Sequence, residues 1–213
     1  MALPKIASYD LPTDQELPAV RGPWVPQRHR VALLVHDMQR YFCAPYPAEQ
    51  APLPDVVRNI GQLTQAARRA GIPVFYTAQE GDQFRPDRGL QADLWGPGMR
   101  DAPEHCEIID DLAPQADDVV LVKHRYSAFQ RSNLEHLLRA RGRDQLLITG
   151  IYAHIGCLAT AAEAFQRDFE NFAVADAQAD FDRAHHDMAM SWVGSTCGGL
   201  STTDQILRLM QDG

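Results

Sequence analysis

The chain has 213 residues, 45% of them hydrophobic and 23% charged, with a formal net charge of −8. That length and balance fit a folded, water-soluble protein with one large core or at most two small ones. The acidic surplus argues against general nucleic-acid binding, which needs a basic face to neutralise phosphates. An anionic substrate would need a local basic cluster.

The four cysteines, Cys43, Cys106, Cys157 and Cys197, show neither C-x-x-C nor metal-site spacing. Reduced thiols in a cytoplasmic protein are expected, with no cofactor and no bound metal. No signal peptide and no membrane-length apolar run is visible.

Residues 1–30 carry Pro4, Pro12, Pro18, Pro23 and Pro26 with little apolar periodicity, which predicts an extended arm. Leu11, Leu17, Val20 and Trp24 favour an ordered arm, because they are costly to leave in water. Residues 31–213 read as a single domain. Val31–Val35 (VALLV) predicts a strand buried on both faces. Asp55–Ala70 has helical periodicity and ends at Gly71. Strands are predicted at 72–77, 118–123, 145–149 and 172–175, with a weaker one at 199–202. Helices are predicted from Ser132 to near Gly142, and at 155–167, 184–193 and 204–210. This alternation predicts an α/β fold: a doubly wound, mostly parallel six-stranded sheet with helices on both faces, a Rossmann-like three-layer arrangement. The region 78–103, with WGPG at Trp95–Gly98, is too long for a mere connection and reads as an active-site loop.

In such a sheet, ligands bind beyond the carboxyl ends of the strands. The residues following the strands are therefore the candidates. His36 and Asp37 follow the first strand, and Gln79 and then Arg88 follow the second. Lys123, Arg125 and Tyr126 follow the third, and Tyr152 and Gly156 the fourth. Asp37, directly behind five apolar residues, is expected to be partly buried, with desolvation raising its pKa and a neighbouring lysine lowering it. His36 is expected to pack rather than titrate. His154 reads as a helix-start residue, and His185 and His186 as surface residues.

These stretches resemble the isochorismatase family. The resemblance is carried by VALLVHDMQRYF, PVFYTAQ, LWGPGM, Lys123–Phe129, GRDQLLITGIYAHIGC and VADAQADF, with YDLPT in the arm. They cover nearly the whole chain and are similar to the 2,3-dihydro-2,3-dihydroxybenzoate synthases and their phenazine-pathway relatives. The resemblance implies an isochorismatase-like fold and hydrolysis of an enolpyruvyl ether, releasing pyruvate. The implied substrate is isochorismate, alternatively 2-amino-2-deoxyisochorismate. Asp37 is then the general acid and Lys123 its catalytic partner, with Arg88 on a substrate carboxylate. Gln79 and Tyr152 bind substrate polar groups, and Gly156 leaves room for the enolpyruvyl side chain. Phe42, Trp95, Tyr126 and Phe129 are candidate apolar walls.

His124 stands where relatives usually have Trp. The chain resembles the stand-alone form without a carrier domain. A homodimer or larger homo-oligomer is implied, with a transient carrier-protein or synthetase contact. The amide-hydrolysing branch instead resembles G-x-A-T-D-x-C, with its cysteine six residues after the glycine. Counted from Gly150, that position is Gly156, so Cys157 is turned about 100° away on a helix and is expected to pack.

Overall fold

The computed structural model describes residues 3–211. The outermost ends of the predicted arm and domain therefore lie outside the described residues. The elements are β1 (Val31–His36), α1 (Arg40–Cys43), α2 (Leu53–Arg69), β2 (Val74–Ala78), α3 (Arg85–Arg88), α4 (Gln91–Trp95) and α5 (Pro103–Cys106). They continue with β3 (Val119–Val122), α6 (Leu134–Ala140), β4 (Gln145–Ile151), α7 (Leu158–Gln166), β5 (Glu170–Ala179), α8 (Arg183–Thr196), β6 (Gly199–Ser201) and α9 (Thr203–Gln211). The six strands form one sheet in the order β3-β2-β1-β4-β5-β6, and all pairings are parallel.

The strand alternation divides the core into two layers. Val31, Leu33 and Val35 face a layer completed by Val56, Ile60 and Leu63 of α2 and Ile206 and Met210 of α9. Ala32 and Leu34 face the other layer, with Leu134 and Leu138 of α6, Ala161 and Ala164 of α7, and Met190 and Val193 of α8. Side chains of period two on a central strand, covered from both sides by helices, make the three-layer fold.

Three differences from the sequence reading have physical causes. β5 is longer than predicted because the amide donors of its buried polar residues find partners inside: Asn171 donates to the carbonyls of Ala161 and Cys197, and Gln178 to that of Ile148. The predicted helix from Ile155 starts later. A single turn of π-helix, Ala153–Cys157, comes first, and α7 begins at Leu158. His186 is not a surface residue. It shares the buried stripe of α8 with Ala189, Met190 and Val193 and hydrogen-bonds the Ala175 carbonyl at 3.1 Å.

Residues 3–30 run as a mostly extended segment with one 3-10 turn at Asp14–Glu16. Ile6 is buried and donates to the Pro45 carbonyl, Arg21 donates to that of Gly194, and Trp24 packs on Phe165 at 6.2 Å. Val20 stays exposed.

Candidate active site

β1 and β4 are central neighbours, and the chain leaves their carboxyl ends in different directions. Between those ends lies a partly open cavity. Nine of the residues singled out above line it: Asp37, Phe42, Gln79, Arg88, Trp95, Lys123, Tyr126, Tyr152 and Gly156. Phe129 does not. It lies in the core, its ring 5.7 Å from Phe169, because the segment after Lys123 turns inward there. Arg125 also points elsewhere, donating to the carbonyls of Asp87 and His124.

Asp37 sits in the left-handed region, φ 51°, which Asp tolerates better than most residues. Its Oδ1 accepts the Thr77 hydroxyl proton at 2.6 Å, and its Oδ2 faces Lys123 Nζ at 2.8 Å and Gln79 Nε2 at 3.4 Å. Both partners of the Asp37–Lys123 pair are buried. Burial pushes the Asp37 carboxyl up. The charge of Lys123, the neighbouring His36 and the bonds from Lys123 and Thr77 outweigh it, so the carboxyl is held below its ordinary range. Asp37 is thus an anion paired with a cation.

Arg88 is buried in the loop that the sequence marked as functional. Its Nε donates to the Gly96 carbonyl at 2.7 Å, which explains the WGPG segment. A Cβ at Gly98 would come within 2.7 Å of the guanidinium Cζ and Nη1, so the second glycine gives the fork its room. The electrostatic neighbours of Arg88 are Tyr41 and Tyr126 rather than a carboxylate, and burial lowers its pKa. A buried guanidinium set this way is suited to a carboxylate ligand.

Tyr152 gives its hydroxyl proton to the Phe42 carbonyl at 2.7 Å. It therefore offers a ligand its ring and its oxygen, not a donor. Trp95 and Tyr126 are tied by an Nε1–H to hydroxyl bond of 2.7 Å, which joins two walls. Gly156 lines the cavity, but the space its missing Cβ leaves is not open to substrate. A Cβ there would run into His36 Cε1 and lie 3.0 Å from Nδ1. The reason for glycine is thus the histidine behind it.

Leu3, Tyr41, Gln91, Ile151 and Ile155 also line the cavity and were missed by the sequence reading. Tyr41 stands beside Phe42, and Gln91 comes three residues after Arg88, so proximity to accepted candidates was an available signal. Nothing local marks Leu3, whose place depends on the path of the arm.

Cys157 does not line the cavity. Its sulfur is buried in the helix–sheet layer, 4.0 Å from the Thr149 carbonyl, and burial pushes the thiol pKa well up. A thiol held neutral and enclosed is a poor nucleophile.

The isochorismatase domain model matches residues 31–205. The chain belongs to the isochorismatase family. It is 47% identical to the isochorismatase of Bacillus subtilis over 100% of this chain and 68% of that protein. It is 47% identical to enterobactin synthase component B of Escherichia coli, over 97% of this chain and 73% of that one. The phenazine biosynthesis protein PhzD1 of Pseudomonas aeruginosa is 45% identical, over 96% and 98%. Among solved structures, a cysteine hydrolase from Pseudomonas syringae pv. phaseolicola superposes with a TM-score of 0.81 at 30% identity, covering 91% of this chain and 97% of that one. The family match and the full-length likeness to these relatives make this chain an enzyme of the isochorismatase type. No helix among the described residues is long and apolar enough to cross a membrane.

Proposed function

We propose that this enzyme hydrolyses the enolpyruvyl ether of isochorismate to pyruvate and 2,3-dihydro-2,3-dihydroxybenzoate. The observation that carries the reading is a buried Asp37–Lys123 pair facing a cavity that also holds a guanidinium with no carboxylate neighbour among the described residues. Such a site suits a small dianion.

The chemistry needs a proton on the terminal vinyl carbon, then water on the resulting oxocarbenium carbon. The hemiketal formed collapses to pyruvate and the ring alcohol. Asp37 supplies the first proton, and the attacking water returns one to it. The free site holds Asp37 ionised, so the acid must be made on binding. A substrate carboxylate brought against Lys123 offsets the charge that depresses Asp37. Burial, which raises the pKa, then dominates. Arg88 binds a second carboxylate with its planar fork. Gln79, beside Asp37, orients a substrate polar group, and the linked Trp95 and Tyr126, with Phe42 and Tyr152, cover the ring.

A second substrate has its own support: the match to PhzD1 spans 98% of that protein. The 2-amino analogue of isochorismate would give pyruvate by the same steps. Pyruvate release from each compound, followed with lactate dehydrogenase, decides between them by kcat/KM. No pyruvate from either would sink the reading.

The same proposal includes a cytoplasmic homo-oligomer and a transient contact with a carrier protein or synthetase. Phe84, Leu90 and Leu94, exposed on the loop that bears Arg88, support a contact surface. Light scattering of the purified chain tests the oligomer, and a monomer at working concentration would refute it.

A further inference from the structure

His36 is fully buried and precedes Asp37, yet the steps above give it no role. Its ring bonds two different elements. Nδ1 lies 3.2 Å from the Ile151 carbonyl at the end of β4, and Nε2 lies 3.2 Å from the Thr160 hydroxyl on α7. A carbonyl only accepts, so Nδ1 carries the proton. Burial holds the imidazole neutral, lowering its pKa to about 4, so Nε2 is free to accept. Thr160 takes the Ala128 N–H on its oxygen at 3.0 Å and gives its own proton to Nε2. One ring thereby ties β1, β4, α7 and the segment that follows Lys123.

The same ring fills the space next to Gly156. A Cβ there would run into Cε1 and come within 3.0 Å of Nδ1 and 3.1 Å of Nε2. The imidazole cannot swing aside without breaking both of its bonds. On its other side Nδ1 is 3.7 Å from Asp37 Oδ2. Position 156 lines the cavity together with Asp37 and Lys123.

We infer that His36 is a positioning residue: its locked ring imposes glycine at position 156 and holds the end of β4 and the Asp37 backbone at the distance that proton transfer requires. The histidine and the glycine form one interlocked unit, and a side chain at 156 is compatible with the fold only when the ring is gone. The activity consequence rests on the proposed reaction; the packing consequence does not.

The test is a double-mutant cycle on the full chain with Gly156→Ala, His36→Ala and the double variant. Gly156→Ala should lower Tm by about 5 °C through overpacking, and His36→Ala should lower it through the cavity it leaves. The double variant should lose less than the sum, because the new methyl enters the vacated space. If Gly156→Ala fails to fold, a folded double variant is the same rescue in stronger form. Additive shifts, or a double variant no better than Gly156→Ala, would overturn the interlock. His36→Asn, which keeps a donor for the Ile151 carbonyl in a smaller side chain, separates positioning from bulk packing. Its kcat should fall about tenfold with KM within about threefold of the parent, since Arg88 is untouched. An unchanged kcat would overturn the positioning role. A parent protein that releases no pyruvate would refute the proposed reaction, and the unfolding cycle would still decide the interlock.

Discussion

Two buried aspartates sit at carboxyl ends of strands in this molecule, and they differ in what surrounds them. Asp180, just after β5, accepts the backbone N–H and ring Nδ1 of His154 and the N–H of Phe181. Its own N–H goes to the Tyr9 hydroxyl, which also meets His186. Its ligands are mostly backbone groups that cannot move away, and it lines no part of the cavity. Asp37 gives one oxygen to Thr77 and turns the other to Lys123 and the cavity. Burial alone therefore does not mark a catalytic carboxylate. A side-chain counter-charge and an open approach distinguish the carboxylate proposed as the acid, because they let a ligand act on its protonation state.

The strongest way to break this contrast is Asp37→Asn. Asparagine keeps the shape and tolerates the positive φ that alanine would find strained. Pyruvate release should fall by about 10³-fold or more, while Tm stays within about 5 °C. Near-parental turnover would remove Asp37 as the acid.

Next in size is the response to acid, where the contrast has a sign. His36 and His186 are both held near pKa 4 by burial, against an ordinary value of 6.5. The unfolded chain thus binds protons that the folded one refuses. Stability should be fully present above about pH 6.5 and fall as pH drops toward 4, by on the order of 3 kcal/mol for each histidine. Asp37, depressed in the folded state, adds a loss of the same sign at still lower pH. Urea unfolding at pH 7.0 and 4.5 measures the difference, and His186→Asn should flatten the slope. A stability independent of pH across that range would contradict the burial of these rings.

Asp180→Asn probes the other member of the pair. An amide there would turn an N–H toward backbone donors, which should cost about 2 kcal/mol, or roughly 5 °C of Tm. Turnover should stay within about tenfold of the parent, since Asp180 reaches the site only through His154 and Phe181. A loss of kcat as large as that of Asp37→Asn would erase the distinction between the two carboxylates.

How much of this was legible follows from where each residue gets its meaning. VALLV is apolar without alternation, so a strand covered on both faces was readable, and Asp37 behind it was placed at the rim by topology alone. Lys123 followed by the same rule, and its contact with Asp37 needed only that β1 and β3 end on one side. Gly156 was readable as the side-chain-free position, but its cause lies 120 residues earlier in His36, a contact that no local pattern encodes. His186 was misread because two adjacent histidines look polar. Its spacing to Ala189, Met190 and Val193 already traces a buried helical stripe. Leu3 and Tyr9 acquire their roles only through the path of the arm.

The smallest expected effect concerns how the cavity side of the comparison holds its ligand. Arg88 is fixed through one nitrogen, with Nε on the Gly96 carbonyl, while the two terminal nitrogens lie against the gap that Gly98 leaves. Lysine would keep the charge but lose the fork and the loop bond. Arg88→Lys should therefore raise KM about tenfold and leave kcat within about threefold, because proton transfer at Asp37 is unaffected. The mirror result, kcat reduced with KM unchanged, would mean that Arg88 acts on the reacting carbon rather than on a carboxylate. The division of labour between a binding guanidinium and a titrating carboxylate would then have to be redrawn.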